Sequence, residues 1–402
     1  MKNPFEFGRE LDSKELVNRH EEMQIVRETI ETGGKLFIIG PRRFGKTSLI
    51  TAVAEKMTEE GNIILNYNAE SFPEIEQLVK RMIEDSARNL KGKIEKIGEQ
   101  IKLSFKNLKP EISFSATQTD WKATLGTNVA ASAVNPTELL VDALNGLETL
   151  AADLPGEKRV CLIIDEFQEI LAQDKLAAEK QIRAAIQKHR HIAYIFAGSK
   201  TQMLSEMITD PSRPFYRLGK QLWVDAIPRP EFVRFLVDSF TKGDFFPPKT
   251  TLSEKNELAL QIITLADDVP YNVQMLAHFI WNRLSVFKVG APDTAYLTSG
   301  VIKEALNSLV KQSDAFHTQI WTNLTSNQKK ALAGVVSENG RNLLSREISQ
   351  ITKMPTATMQ TALRSLTSQN ILRQKEKEGS VHYIFEDPFF SHWIRLFTFL
   401  GQ

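Results

Sequence analysis

Gly40-Pro41-Arg42-Arg43-Phe44-Gly45-Lys46-Thr47-Ser48 follows the apolar run at residues 35–40 and precedes a helical stretch at 48–58. The pattern is G-x-x-x-x-G-K-[ST], and a strand before with a helix after separates a phosphate-binding loop from a chance glycine turn. Gly40 and Gly45 let the backbone curl so that successive N–H groups, backed by the N-terminus of the next helix, point at phosphate oxygens. Lys46 is placed to reach the β- and γ-phosphates, and the Thr47 hydroxyl to ligate magnesium. ATP and Mg2+ are therefore the expected ligands, and Gly40, Pro41, Arg42, Arg43, Phe44, Gly45, Lys46, Thr47 and Ser48 the binding loop. Arg42 and Arg43 are not required by the motif and read equally as solvated loop charges.

Outward from this loop, short apolar runs at 36–40, 63–67, 160–165, 192–198 and 222–227 alternate with helix-like segments. That rhythm predicts an α/β fold, a doubly wound parallel sheet covered by helices. The run Val160-Cys161-Leu162-Ile163-Ile164-Asp165-Glu166 ends in the carboxylates that a phosphate loop needs. Asp165 is expected on the metal side. Glu166 is expected to orient and polarise the attacking water. Ser199, after Ile195-Phe196-Ala197-Gly198, is a candidate sensor of the γ-phosphate or the water, with a plain helix cap as the alternative. Arg213 and Arg217 lie in the loop before the last strand, where a guanidinium could act as an arginine finger in its own or a neighbouring subunit. Ordinary surface charge is the competing reading.

Composition narrows the remaining classes. The chain has 402 residues, 42% hydrophobic and 25% charged, with a formal net charge of +1. This is long for one core, and any nucleic-acid surface must be local. The lone Cys161 excludes an internal disulfide and sits in an apolar run, as a buried structural thiol does. Residues 1–27 carry no apolar segment of signal-peptide length, and no stretch is long enough to span a membrane, so no membrane insertion and a cytoplasmic location are expected.

The rhythm breaks at 88–135. Leu90, Ile94, Ile97, Ile101, Phe105 and Leu108 recur at helical spacing amid an excess of lysines, and alternation around Thr117-Gln118-Thr119-Asp120 reads as a β-hairpin. This insertion is either a decoration packed on the core or a docking arm for a partner. Between 229 and 315 the spacing is helical only, as in a lid. From 320 to 402, helices at 327–336, 345–352 and 356–369, then strands at 371–375 and 381–385, have the spacing of a winged helix-turn-helix. Met359, Leu363 and Leu366 are expected inward, with Thr358, Thr361, Arg364, Ser365 and Ser368 outward toward a major groove. Basic residues outnumber acidic ones only mildly after Trp321, which leaves both DNA binding and protein contacts open.

With these residues in place, the chain resembles the archaeal-type ATPases, a STAND-like branch of the AAA+ P-loop ATPases. Leu16-Val17-Asn18-Arg19 with Glu21-Glu22 resembles the family's N-terminal box bordering the adenine. The phosphate loop, Leu162-Ile163-Ile164-Asp165-Glu166-Phe167-Gln168, Ala197-Gly198-Ser199 and Pro214-Phe215-Tyr216-Arg217 follow in the family's order. The resemblance implies an AAA+ core over 1–228, a helical lid over 229–315 and a winged helix over 320–402. It also implies a nucleotide-driven switch with weak or partner-stimulated hydrolysis, Val17 and Pro270 near the nucleotide, and a nucleotide-dependent oligomer. A DNA-binding regulator that holds ATP as a structural or signalling ligand is the alternative. The lid segment Asp268-Val269-Pro270-Tyr271-Asn272 departs from many relatives in lacking a sensing arginine.

Overall fold

In the computed structural model of the chain, the described residues are 2–9, 15–89, 99, 101, 103–105, 112–116, 121–125, 135–154, 158–171, 175–199, 201–290, 295–377 and 380–397. Helix α1 (His20–Glu31) leads into β1 (Lys35–Ile39), α2 (Lys46–Glu59), β2 (Ile63–Asn68) and α3 (Ile75–Asn89). The strands β3 (Ile112–Ala116) and β4 (Trp121–Leu125) pair antiparallel, with Ile112 opposite Leu125. Then come α4 (Pro136–Ala152), β5 (Val160–Asp165), α5 (Lys175–Ile186), β6 (Ile192–Gly198), α6 (Thr201–Thr209) and β7 (Lys220–Trp223).

Five of these strands form one parallel sheet in the order β2-β5-β6-β1-β7. Its central strands β5 and β6 are buried at every position, as strands covered on both faces must be. Phe37, Leu65, Leu162 and Tyr194 share a core with α3, α4 and α5. Leu36, Ile38, Cys161 and Ile195 are buried on the alternate side, as the period of two requires. Cys161 is the buried thiol expected, and burial raises its pKa.

The last strand differs from the sequence expectation, which placed it at 222–227. It starts at Lys220, because on a sheet edge only alternate side chains are covered: Leu222 is buried while Trp223 stays 50% exposed. An apolar run therefore misses its polar half. Pairing continues one step beyond, through the Val224 amide donating to the Ile39 carbonyl at 2.8 Å. Of the basic helix expected near 90–108, Ile101 and Phe105 are buried in the core, and a Cβ on Gly146 would lie 2.3 Å from the Phe105 ring. Most of that helix and the hairpin tip lie outside the described residues.

Two compact units divide the chain, Gly8–Ala226 and Met1–Phe7 with Ile227–Gln402. The first residues, expected with the 1–228 core, thus belong to the second unit. Phe5 explains this: it is fully buried, with its ring centroid 4.9 Å from that of Phe240 and 5.9 Å from that of Trp281. That unit contains α7 (Arg229–Lys242), α8 (Leu252–Leu265), α9 (Pro270–Gly290), α10 (Ser299–Gln312) and α11 (Asp314–Asn323). It continues with α12 (Ser326–Ser337), α13 (Arg346–Thr352), α14 (Thr356–Ser368), the hairpin of β8 (Leu372–Lys377) with β9 (Ser380–Phe385), and α15 (Pro388–Phe397). Arg373 bridges to Asp267 at 3.2 Å, tying the hairpin to the end of α8. Among the described residues no helix is long and apolar enough to cross a membrane.

Behind the carboxyl ends of β1, β5 and β6 sits an aromatic nest of Phe37, Phe167, Phe196 and Phe215. The Phe167 and Phe196 centroids are 4.3 Å apart, and Phe215 lies 5.8 and 5.9 Å from Phe167 and Phe37. Truncating a fully buried aromatic leaves a cavity that a rigid sheet fills poorly. Phe215→Ala should therefore cost the Gly8–Ala226 unit about 3–5 kcal/mol, read as a fall in the urea midpoint of the full chain; a loss below about 1 kcal/mol would show that the nest collapses freely.

Candidate functional site

In β1 the register sets Ile39 opposite Gly198 of β6, and in β5 it sets Asp165 opposite Asn68 of β2. Three strand ends thus deliver the Gly40 loop, Ser199 and Asp165-Glu166 to one edge of the sheet, where ligands of open α/β folds bind. Gly40 is required by space: a Cβ would stand 2.2 Å from the Val224 carbonyl oxygen. Gly45 is required by conformation, with φ of 90° immediately before α2. The helix then opens on Lys46 and Thr47, where first-turn amides have no intrahelical acceptor and favour an anion.

Lys46 is 5% exposed, and its ammonium donates to the Pro41 carbonyl at 3.0 Å. Burial lowers its pKa, opposed by the charges of Glu166 and Asp165. The Thr47 hydroxyl donates to Asp165 Oδ2 at 2.7 Å, and the Glu166 amide donates to Oδ1 at 2.9 Å. Asp165 is buried and held from two sides. After it the chain turns sharply: Glu166 has φ of 51°, a left-handed conformation uncommon outside glycine, and the 3-10 turn Phe167–Glu169 follows. Phe167 drops into the aromatic nest while Glu166 faces the loop.

Among the described residues the Glu166 carboxylate is engaged on one oxygen. Oε2 accepts from Gln168 Nε2 at 2.5 Å, from the Ser199 amide at 3.1 Å and from the Ser199 hydroxyl at 3.0 Å. Burial pushes this carboxyl up, but those hydrogen bonds and the charge of Lys46 outweigh it and hold the pKa below its ordinary value. Arg42 completes the circuit, donating to the Ser199 oxygen at 3.3 Å and to Glu70 at 3.2 Å. The structure thus brings together Lys46, Thr47, Asp165, Glu166, Ser199 and Arg42.

The other candidates stand elsewhere. Arg43 is exposed in the loop with φ of 68°, Phe44 is buried, and Pro41 and Ser48 are partly buried. Arg213 is committed to Glu179, which is fully buried, by an ion pair, and Arg183 binds the carbonyls of Pro214 and Tyr216. Arg217 is exposed, its guanidinium 5.1 Å from the Tyr216 ring centroid. Val17 is partly buried, and Pro270 opens α9 in the second unit.

Arg19 and Gln168 carry more than the sequence reading gave them. Arg19 is 5% exposed and donates to Glu22 at 2.7 Å, to the Phe44 carbonyl at 3.2 Å and to the Asp225 carbonyl at 2.6 Å. It fastens the N-terminal box to the phosphate loop and to the exit of β7. A buried arginine can be suspected only after its acceptors are known, and two of these are backbone carbonyls, which leave no mark in sequence.

ATP and Mg2+ fit these residues. The glycines open the loop, the helix terminus and Lys46 supply positive charge, and Thr47 with Asp165 offers hard oxygen donors. Among the described residues no cluster of three or more His, Cys, Asp or Glu side chains could hold a metal. Magnesium takes one or two protein oxygens and completes its shell with phosphate and water.

Such a sheet with such a site defines a P-loop ATPase. The chain belongs to the family described as the ATPase domain predominantly from Archaea, whose model matches residues 16–242. No curated relative matches the sequence. Among solved structures, a Walker-type ATPase of Pyrococcus abyssi is similar over 98% of this chain and 99% of its own, with a TM-score of 0.59 and 16% identity. The Aeropyrum pernix ORC2 protein, in ADPNP-ADP complexes, is similar over 98% of this chain and 96% of its own, with a TM-score of 0.52 and 15% identity. Likeness at such identity establishes the fold, and the family establishes an ATP-binding P-loop ATPase.

Replacing Arg19 with Met keeps the buried stem and removes the donors to Phe44, Asp225 and Glu22. Charge-assisted hydrogen bonds contribute most in buried sites. Arg19→Met should lower stability by about 1.5–3 kcal/mol and weaken binding of a fluorescent ATP analogue, read by thermal unfolding and by titration. Unchanged affinity would show that Arg19 serves the fold alone.

Proposed function

We propose that the protein is an ATP-hydrolysing switch in which Lys46 and the loop amides bind the phosphates, Thr47 and Asp165 hold magnesium, and Glu166 is the catalytic base. The observation that carries this reading is the convergence of Thr47, Asp165 and Glu166 within one hydrogen-bonded set at the mouth of the phosphate loop. When bound, magnesium supplies charge neutralisation on the β- and γ-phosphates. Glu166 accepts a proton from water as the water oxygen bonds to the γ-phosphorus. The bond from that phosphorus to the bridging oxygen breaks, and its electron pair stays on ADP.

The nucleotide state of the phosphate loop would be passed on to the C-terminal module. Hydrolysis resets it. The C-terminal module over 320–402 is read as a winged helix. Arg217, exposed and without a carboxylate partner among the described residues, is the better placed of the two loop arginines for a finger acting on a neighbouring copy, since Arg213 is held by Glu179.

One observation favours DNA as the partner. On α14, Met359, Leu363 and Leu366 are buried while Thr361, Arg364 and Ser368 are exposed, so a polar face with one guanidinium is presented outward. Against it, Arg373 is spent on Asp267 and Glu386, and Arg395 on the Val336 carbonyl. The alternative function, a DNA-binding regulator holding ATP with little turnover, rests on the same face.

Two measurements test these readings. Lys46→Ala should abolish binding of a fluorescent ATP analogue, whereas Glu166→Gln should keep binding and lose phosphate release by about 100-fold or more; unchanged release by Glu166→Gln would remove the base assignment. For the partner, gel-shift of duplex DNA by the full chain should weaken steeply between 50 and 200 mM salt and depend on Arg364, by the counterion effect. Salt-insensitive or absent binding would assign the module to protein contacts.

A further inference from the structure

Gln168 is 2% exposed, yet only half of its amide is used. Its Nε2 donates to Glu166 Oε2 at 2.5 Å, while its Oε1 has no hydrogen-bond partner among the described residues. A buried amide oxygen without a partner is costly, and an apolar side chain of the same volume would avoid that cost. The neighbouring strand end is shaped around this amide: a Cβ on Gly198 would stand 2.2 Å from Gln168 Oε1. The fold therefore accommodates a polar group whose one satisfied contact is to Glu166.

That contact decides how the carboxylate is oriented. Glu166 sits in a left-handed turn, outside any strand or α-helix, so regular structure does not fix its side chain. Three donors meet on Oε2, two from Ser199 and one from Gln168, and none meets Oε1 among the described residues. Ser199 reaches the carboxylate from the residue after β6, and Gln168 reaches it from the turn that follows Glu166. A group held within about 0.5 Å and 10–20° of its working geometry has lost the freedom that would otherwise be paid at each turnover.

We propose that Gln168 is a positioning residue for hydrolysis: its amide fixes Glu166 Oε2 against Ser199 and leaves Oε1 as the acceptor for the attacking water. The inference rests on the reading of Glu166 as the base. Because Gln168 acts through Glu166 and not on the nucleotide, its removal changes turnover and not binding. Its effect also disappears once Glu166 is already disabled, which distinguishes positioning from a general role in packing.

The experiment uses the full chain with Gln168→Met, which keeps volume and removes the donor, alone and combined with Glu166→Gln. The single variant should lose about tenfold in kcat while affinity for a fluorescent ATP analogue stays within about twofold. Added to Glu166→Gln, it should cause no further loss in single-turnover hydrolysis. In nucleotide-free protein, amide exchange at Ser199 should speed up, because the acceptor of that N–H has been released. Should Gln168→Met not fold, judged by absent analogue binding, Gln168→Asn withdraws the same donor by one methylene and is held to the same pattern. A kcat within twofold of wild type, a kcat that rises, unchanged Ser199 exchange, or a second full loss in the Glu166→Gln background would each overturn the proposal. If Glu166→Gln itself turns over normally, the base reading fails first; if it is inactive while Gln168→Met is normal, only the positioning role falls.

Discussion

A hydroxyl and a carboxylate, Thr47 Oγ1 and Asp165 Oδ2, meet at 2.7 Å at the carboxyl edge of the sheet. Their elements are distant in the chain and not adjacent in the sheet, since β6 runs between β1 and β5. The meeting depends on a parallel register that ends three strands at the same level, and that register depends on apolar runs buried from both sides. Everything chemical in the site hangs on it. It brings Asp165 to the phosphate loop, and the Glu166 amide donates to that same carboxylate.

Polar groups this close to a core must be satisfied, and the site shows how. Asp165 takes one donor from the loop and one from the next amide, while Glu166 takes three on a single oxygen. Lys46 donates to a loop carbonyl. Arg19, deep beneath the N-terminal box, closes the same loop from behind. These bonds link strand ends into one network, in which displacement of one member is felt by the next. Arg42 and Ser199 form the branch by which an occupant of the loop would be felt at Glu166.

The aromatic nest gives this network a rigid floor. Phe167 follows Glu166 directly, so burying its ring commits the backbone to a turn that faces the carboxylate the other way. Phe215 anchors the loop that carries Arg213 and Arg217, and the buried Glu179 explains why Arg213 is unavailable for anything else. Strain in the left-handed Glu166 is thus offset by packing one residue away.

By itself the sequence determined the phosphate loop and the parallel sheet, and it set Asp165 at the end of one strand with Glu166 next. Each of these is carried by local patterns, glycine spacing and apolar runs, that operate before the chain is folded. The strand at the sheet edge starts two residues before its expected apolar run, because edge burial alternates and an apolar run does not. Only tertiary structure decided that Arg213 is spent on Glu179, that Arg19 holds the loop, and that Gln168 and Ser199 share one oxygen of Glu166. Those assignments rest on partners brought together across strands or on backbone carbonyls, and a sequence names neither until the fold has set the distances.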